Sequence, residues 1–201
     1  GQFDGAAQVL EKIYENEVGE TKVNAGILLA HLSQSKQGTK KQTKKAITIY
    51  KSILKTRPFH QDACLNLADI YFEKSQNTSA VNLLENCDRE NDKAVKGKSS
   101  FKIVKEIGRV APNGEFLFRL GRFHLDQGDL ASAKKRFEKA IQRDSSHTKS
   151  VLAIGILYQE TGKVDRAISY WEKHLERNPN DQIILNQLVQ YWIMKKQAKK
   201  A

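Results

Sequence analysis

The sequence predicts an all-α fold in which short helical hairpins stack in chain order. Only 3 of its 201 residues are proline, and its 12 glycines occur singly, a composition that favours helix over sheet. Apolar residues recur at steps of three and four, as a one-sided helix requires. A 34-residue pattern also recurs along the chain, and this period indicates a stacked repeat architecture.

The repeat is clearest in the segments GEFLFRLGRFHLDQGDLASAKKRFEKAIQRDSSH and TKSVLAIGILYQETGKVDRAISYWEKHLERNPND, residues 114–147 and 148–181. The two segments align without a gap, and residues 61–94 fit the same frame. The aligned positions pair Leu117 with Val151, Leu120 with Ile154, Gly121 with Gly155, Gly128 with Gly162, Ala133 with Ala167 and Phe137 with Trp171. Each unit therefore holds two apolar-faced helices joined by a turn that contains glycine or asparagine.

This pattern resembles the tetratricopeptide repeat family. The residues that carry the resemblance are Leu117, Leu120, Gly121, Ala133, Phe137 and Ala140 in one unit, and Val151, Ile154, Gly155, Tyr158, Ala167, Trp171 and Pro179 in the next. The resemblance implies a right-handed solenoid of helical hairpins, an all-α tetratricopeptide-type array. It further implies a concave groove, lined by the first helix of each repeat, that binds a partner polypeptide.

Small residues are expected where the two helices of a hairpin cross, since close approach requires small side chains. We expect Gly121 to lie near Ala133 and Gly155 near Ala167. The large residues at the aligned positions, Phe137 and Trp171, are then expected to fill the space between one hairpin and the next.

The rest of the chain is divided by the same frame into one continuous array. The opening GQFDGAAQVLEKI aligns with GDLASAKKRFEKA, so we expect the chain to start at the turn inside a repeat, with a helix over residues 4–16 whose apolar flank favours self-association. The predicted units are residues 1–20 (truncated repeat), 21–60 (repeat with a long turn), 61–94 (repeat), 95–113 (half repeat), 114–147, 148–181 and 182–201 (capping helix).

The charge is strongly positive and uneven. The net charge is +11, and no acidic residue occurs between Glu20 and Asp62. Such basic stretches form solvated faces or attract anions. An alternative function is therefore that lysine-rich segments 21–61 and 93–109 bind RNA or another anionic surface, with an anionic membrane surface a weaker candidate. The lysines predicted for such a surface are Lys36, Lys40, Lys41, Lys44 and Lys45.

The two cysteines, Cys64 and Cys87, are too few for a disulfide framework. Both lie among apolar residues, and two interpretations stay open: a pair of buried thiols or a single bridge. The low cysteine count favours a reducing compartment, and we predict the cytoplasm.

No catalytic or metal-binding constellation is found in the sequence. None of the five histidines pairs with histidine, cysteine or carboxylate at metal-ligand spacing, and His174 occupies a position where a small, partly buried residue is usual. The stretch GILYQETGKV lacks the spacing of a phosphate-binding loop and has Val164 where that loop requires serine or threonine. We predict neither an enzyme nor a cofactor.

The candidate site is therefore the groove that the resemblance implies. The sharper candidates are Phe72, Phe118, Arg119 and Arg122, because aromatic and arginine residues are enriched in binding hot spots. Some family members have a clamp of lysine and asparagine at fixed positions of this groove. This sequence lacks that pattern, because Leu65 and Asp69 occupy the first two of those positions. A helical or extended peptide with apolar anchors and an acid suits these residues. The complete set of predicted partner-binding residues is Asp69, Phe72, Phe118, Arg119, Arg122, Lys149, Gln159, Asn186 and Gln190.

From these residues and the resemblance we predict a non-catalytic protein–protein interaction scaffold.

Overall fold

The computed structural model describes residues 2–35, 40–97 and 113–198, and these residues form ten α-helices and no strand. The predicted all-α class is therefore confirmed. The helices are α1 (Gln2–Asn16), α2 (Gly19–Ser35), α3 (Lys40–Thr56), α4 (Gln61–Glu73), α5 (Asn77–Val95), α6 (Glu115–Asp126), α7 (Leu130–Arg143), α8 (Thr148–Glu160), α9 (Val164–Leu175) and α10 (Gln182–Ala198).

Helices that follow one another in the chain pack against one another, as stacked hairpins require. The chain divides into two compact units, Gly1–Pro112 and Asn113–Ala201. In the first unit, α1 packs on α2, α2 on α3, α3 on α4 and α4 on α5; in the second, α6 packs on α7, α7 on α8 and α8 on α9.

The core of the Gly1–Pro112 unit is built from the inward faces of α2, α3 and α4. Tyr50 and Ile53 of α3 are buried against Leu67 and Ile70 of α4. Leu10 and Tyr14 of α1 are partly buried and pack on the same cluster. The amphipathic first helix is thus anchored by its apolar stripe, as the three- and four-residue spacing predicts.

In the Asn113–Ala201 unit the hairpins close where a glycine faces an aromatic ring. A Cβ built on Gly155 would overlap the indole of Trp171, and one built on Gly121 would overlap the ring of Phe137. Trp171 also donates from Nε1 to the Val151 carbonyl, 3.3 Å away. The glycine at this position is therefore required for space, because any side chain would occupy the volume of the ring.

This packing extends one expectation from the sequence. Phe137 and Trp171 are predicted to fill the space between hairpins, yet each ring lies against the glycine of its own hairpin while also joining the core shared with the next helix. Phe137 clusters with Ile154 of α8, and Trp171 clusters with Ile184 of α10. Ala133 and Ala167 are fully buried, as expected for small residues at the crossings.

The turns inside the second-unit hairpins rest on glycine in the left-handed region. Gly128 has φ 75° and Gly162 has φ 72°, values that favour glycine over any other residue. After the first turn, Asp129 caps α7 by accepting a hydrogen bond from the Ser132 amide at 2.9 Å. These turns lie where the repeat frame predicts them.

The helix bounds differ from the expected ones at two places. Helix α1 spans the predicted 4–16 segment, but α3 begins at Lys40, so it takes in the end of the segment interpreted as a long turn. Helix α5 continues to Val95, and residues 98–112, which hold most of the predicted half repeat, lie outside the described residues. The division of the chain into repeats remains a prediction.

The hairpin of α4 and α5 is crosslinked. Cys64 and Cys87 are both fully buried and are joined by a disulfide, with their Cα atoms 6.5 Å apart. In the repeat frame they occupy the positions that Leu117 and Ala140 hold in the α6–α7 hairpin, where apolar packing joins the helices. Of the two interpretations left open by the sequence, the structure has the bridge.

None of the helices in the described ranges combines the length and the apolar character needed to cross a membrane.

Candidate functional site

The first helices of the Asn113–Ala201 unit present the same positions at steps of 34 residues. An α-helix turns by about 100° per residue, so positions i, i+3, i+7 and i+10 share one face. We call the following residues the groove face: Glu115, Phe118, Arg122 and Leu125 of α6, Lys149, Leu152, Ile156 and Gln159 of α8, and Ile183, Asn186, Gln190 and Ile193 of α10.

At the α6–α8 end of the groove face, Lys149 is held by neighbours. Its Nζ lies 3.1 Å from both carboxylate oxygens of Glu115 and 5.8 Å from the ring centroid of Phe118. The Phe118 ring is itself packed against Phe137 and His147, at centroid distances of 5.6 and 5.5 Å. The predicted partner-binding residues Phe118 and Lys149 are therefore brought together, and Lys149 already has a counter-ion.

Glu115 is a groove residue that the sequence analysis missed. His147 lies 3.2 Å from its Oε2, and this hydrogen bond lowers the pKa of the Glu115 carboxyl; burial opposes the shift and Lys149 adds to it. The carboxylate thus stays charged and holds the side chains of His147 and Lys149. The 34-residue spacing could have identified Glu115 from the sequence, because Glu115 and Lys149 are 34 residues apart and occupy the same position of the repeat.

Arg122 follows one turn after Phe118 and is exposed. Within the part of the chain that the structure describes, its guanidinium has neither an ion pair nor a hydrogen bond to another side chain. Arg119 is partly buried and makes contacts of its own. Arg122 is therefore the groove cation best placed to meet an acidic group of a partner.

Exposed apolar side chains complete the groove face. Ile156 is 36% exposed, Ile183 is 55% exposed and Ile193 is 52% exposed. Ile183 and Ile193 were not among the predicted site residues, although both follow from the 34-residue frame. Gln159 is partly buried, and Asn186 and Gln190 are exposed beside these isoleucines. The face therefore alternates apolar, amide and cationic groups.

The remaining predicted groove residues lie in the other unit. Asp69 and Phe72 are both on α4, are partly buried and make contacts with neighbouring groups. They therefore belong to the Gly1–Pro112 unit, and the groove face defined above does not include them.

Several cationic side chains of the lysine-rich segments have acidic or aromatic partners that the sequence alone does not indicate. Lys45 pairs with Glu11, and the largely buried Arg57 pairs with Glu20. The remaining partnered cations are Lys22 over the Tyr14 ring, Lys51 over the Tyr71 ring, Lys93 with Glu90 and Lys96 with Asp92. The acidic and aromatic partners come from neighbouring helices or helical turns, so an acid-free run in the sequence is not an acid-free surface.

Of the five lysines predicted for the anionic surface, only two have described side chains. Lys44 is exposed, and Lys45 has the Glu11 partner. Lys40 and Lys41 belong to α3, but their side chains lie outside the described residues, as does Lys36 entirely.

A polar cluster joins α8, α9 and α10. Asp181 accepts hydrogen bonds from Thr148 Oγ1 at 2.5 Å and from His174 Nε2 at 2.9 Å. Its other oxygen caps α10 through the Ile184 amide at 3.3 Å. Burial raises the pKa of the Asp181 carboxyl, but the Thr148 and His174 hydrogen bonds outweigh it, so the pKa is lowered overall. His174 thus has a structural role, and no group of three metal-ligating side chains occurs among the described residues.

Comparison with known families and proteins agrees with this architecture. The tetratricopeptide repeat model matches residues 124–191. Anaphase-promoting complex subunit 3 of Schizosaccharomyces pombe is 26% identical over 123 residues, or 59% of this chain and 18% of that protein. Tetratricopeptide repeat protein 8 of Caenorhabditis elegans is 37% identical over 54 residues, or 27% of this chain and 11% of that protein. The chain thus spans less than a fifth of either relative's length.

Among solved structures, a thermophilic tetratricopeptide repeat protein of Thermus thermophilus superposes with a TM-score of 0.52 at 16% identity, covering 96% of this chain and 92% of that one. At this identity the likeness shows the fold alone. Together with the matched repeat model, it establishes the tetratricopeptide-type hairpin repeat as the building block.

Proposed function

We propose that the chain, in which residues 124–191 match the tetratricopeptide repeat model, is a non-catalytic scaffold that binds a partner polypeptide along the groove face of α6, α8 and α10. Its relative in Schizosaccharomyces pombe is named as a subunit of a multiprotein complex, and a similar setting is proposed here. The observation that carries the proposal is the combination, on one face, of exposed isoleucines with an arginine, Arg122, that has no side-chain partner among the described residues.

The chemistry of the face defines the partner. Ile156, Ile183 and Ile193 offer apolar contact to a helical or extended peptide. Arg122 supplies a bidentate donor for a carboxylate, whereas the Lys149 ammonium is occupied by Glu115. We therefore propose an apolar peptide segment with one acidic residue near the α6 end.

The test is affinity capture followed by crosslinking and mass spectrometry at low and high salt. The Phe118→Ala/Arg122→Glu variant should lose the partner, and Ile183→Asp should lose it independently at the α10 end. Lys139→Glu, a charge reversal at an exposed position of α7, should retain it. Crosslinks are expected on α6, α8 and α10.

A partner retained by both groove variants would contradict the groove face as the binding site, and a partner held only at low salt would show that charge captures it. That outcome would favour the alternative of an anionic ligand bound through segments 21–61 and 93–109.

The cytoplasm stays the predicted compartment, and the Cys64–Cys87 bridge supplies its test because structural disulfides are rare there. Thiols are alkylated in intact cells before lysis. Alkylated Cys64 and Cys87 support the prediction, and an intact bridge contradicts it.

A further inference from the structure

A second surface of the Asn113–Ala201 unit carries several cations and lies away from the groove face. It is the furrow between α7 and α9, the second helices of two successive hairpins, with α8 as its floor. Its lining residues from α8 include Val151 and Tyr158. Given about 100° per residue, these two lie about 130° around α8 from the centre of the groove-face stripe on that helix. A ligand in the furrow would therefore leave the groove face open.

The furrow is continuous. A cavity of ≈ 220 Å³ over Ile141 and Val151 shares Tyr170 and Lys173 with a neighbouring cavity of ≈ 520 Å³. That second cavity shares Tyr158 and Arg166 with a third, of ≈ 340 Å³, near the start of α7. Three connected cavities thus follow α9 along its length.

The α9 side of the furrow is a single helical face. Arg166, Tyr170, Lys173 and Arg177 are separated by four, three and four residues, so their side chains share one side of α9 and the turn that follows it. Eleven residues of helix rise about 16 Å, which is the length of roughly five residues of extended peptide.

The three cavities of the furrow are lined by five cations and by one carboxylate, Asp165, which makes contacts of its own. Lys163, Arg166, Lys173 and Arg177 have no carboxylate partner within the described ranges. Lys134, the fifth cation, is paired with Glu138 at 2.6 Å. Arg177 lies at the edge of the ≈ 220 Å³ cavity, which has an apolar floor and the His174 ring in its wall. His174 is hydrogen-bonded to Asp181, so Arg177 and Lys173 are the groups of this cavity that can contact an anion.

The aromatic residues of the furrow favour a peptide over nucleic acid. Tyr158 and Tyr170 meet edge to face with centroids 6.1 Å apart, and Lys134 lies 5.8 Å from the Tyr158 ring centroid. These ring surfaces are therefore in use and do not form the open stacking platform that bases require. Burial, with Glu138 and Tyr158 nearby, raises the pKa of Tyr170 to about 12, so its hydroxyl remains a donor at neutral pH.

We propose that the α7–α9 furrow is a second binding site, for an acidic peptide segment whose carboxylates meet Arg166, Lys173 and Arg177 and whose apolar side chains enter the cavities over Ile141 and between the tyrosines. The site is separate from the groove face, so the test of this proposal is independent of the test of the proposed function.

The test uses the full chain and a fluorescent pool of ten-residue peptides in which Asp or Glu alternates with Leu, Ile, Phe or Tyr. Fluorescence anisotropy should show saturable binding, and Arg166→Glu/Arg177→Glu should raise the dissociation constant at least about tenfold. The matched control, Lys135→Glu/Lys139→Glu, makes the same charge change at exposed positions on another face of α7 and should change it less than about twofold. The groove variant Arg122→Glu should bind like the wild type.

Two further arms use the unmodified protein. A version of the pool that carries a photoreactive phenylalanine should crosslink to α7 and α9. Deca-deoxythymidine should not displace the peptides. The proposal is overturned by crosslinks to the groove face, by an equal loss in the control variant, by displacement with the oligonucleotide, or by no saturable binding below about 1 mM.

Discussion

Single residues set how closely the helices of a hairpin approach. At Gly155 the Trp171 indole occupies the space that a Cβ would need, and the same relation holds for Gly121 and Phe137. A large ring and an absent side chain together fill one volume, so neither residue can be changed alone without a cavity or an overlap.

We predict that Gly155→Ala destabilises the protein by about 1–3 kcal/mol, because the added methyl group overlaps a buried ring. Urea unfolding followed by circular dichroism measures the change. The matched control is Gly5→Ala in α1, where nothing lies within 4 Å of the added Cβ. It should stabilise the protein by about 0.5–1 kcal/mol through helix propensity. Equal effects of the two substitutions would refute the packing argument.

Asp181 also acts at the residue scale, because one carboxylate joins Thr148, His174 and the start of α10. Its pKa is lowered in the folded state, so folding favours the charged form. Its contribution is complete above the ordinary aspartate pKa of about 4 and is lost as the pH falls through the lower folded value.

We therefore predict that Asp181→Asn lowers the free energy of unfolding by about 1–3 kcal/mol at pH 7 and that this difference shrinks as the pH falls below about 4. Paired urea titrations at about pH 7 and pH 3 give the comparison. Asp126→Asn, at an exposed position, serves as the control and should leave the free energy unchanged within about 0.5 kcal/mol at both values. A difference that grows at low pH would contradict the assigned sign.

At the scale of elements, the same pair of repeat positions joins the two helices by apolar packing in one hairpin and by a disulfide in another. Leu117 and Ala140 are both buried in the α6–α7 hairpin, whereas Cys64 and Cys87 form a bridge in the α4–α5 hairpin. The bridge closes a loop across a separation of 23 residues. It therefore restricts the unfolded chain as well as joining the two helices.

Reduction of this bridge should destabilise the α4–α5 hairpin by about 3 kcal/mol, the loss of loop-closure entropy for a loop of this size. Hydrogen exchange measured by mass spectrometry with and without reductant should accelerate most in residues 61–95. A Cys64→Ala/Cys87→Ala variant is the control, because it should not respond to reductant. Unchanged exchange in the reduced wild type would show that packing alone holds the hairpin.

At the scale of the whole molecule, the count of 34 lysines and arginines overstates the free positive surface. Lys45 and Arg57 are neutralised by Glu11 and Glu20, which come from other helices. In the described part of the Asn113–Ala201 unit, the cations without a carboxylate partner include Arg122 at the groove face and Arg166, Lys173 and Arg177 along the furrow. Among the described residues, the cations are therefore divided between those held in ion pairs and those that stay unpaired at separate places.

This distribution predicts weak binding of nucleic acid with a shallow salt dependence. Five lysine contacts to single-stranded phosphates would give a slope of about −3.5 for log affinity against log salt. We expect a smaller slope for oligodeoxythymidine binding to the full chain, measured by anisotropy between about 50 and 300 mM salt, a range over which screening strengthens markedly. A slope of about −3.5 or steeper would restore the lysine-rich segments as a binding surface.

Apolar spacing and the 34-residue period are properties of the chain, so the helices, their turns and the face that each helix presents could be predicted from the sequence. The same period supplied the groove positions, and it contained the signal for Glu115, Ile183 and Ile193. It did not supply a complete repeat for residues 98–112, which lie outside the described residues.

Only the tertiary structure shows which charged side chains already have a partner within the protein and whether the two cysteines are joined. Lys149 is taken by Glu115, Arg122 has no side-chain partner in the described ranges, and Cys64 reaches Cys87 across a hairpin. These outcomes depend on distances between side chains from different helices, which the stacking of hairpins sets and local periodicity does not contain. The furrow arises in the same way, since α7 and α9 become neighbours only when their hairpins stack.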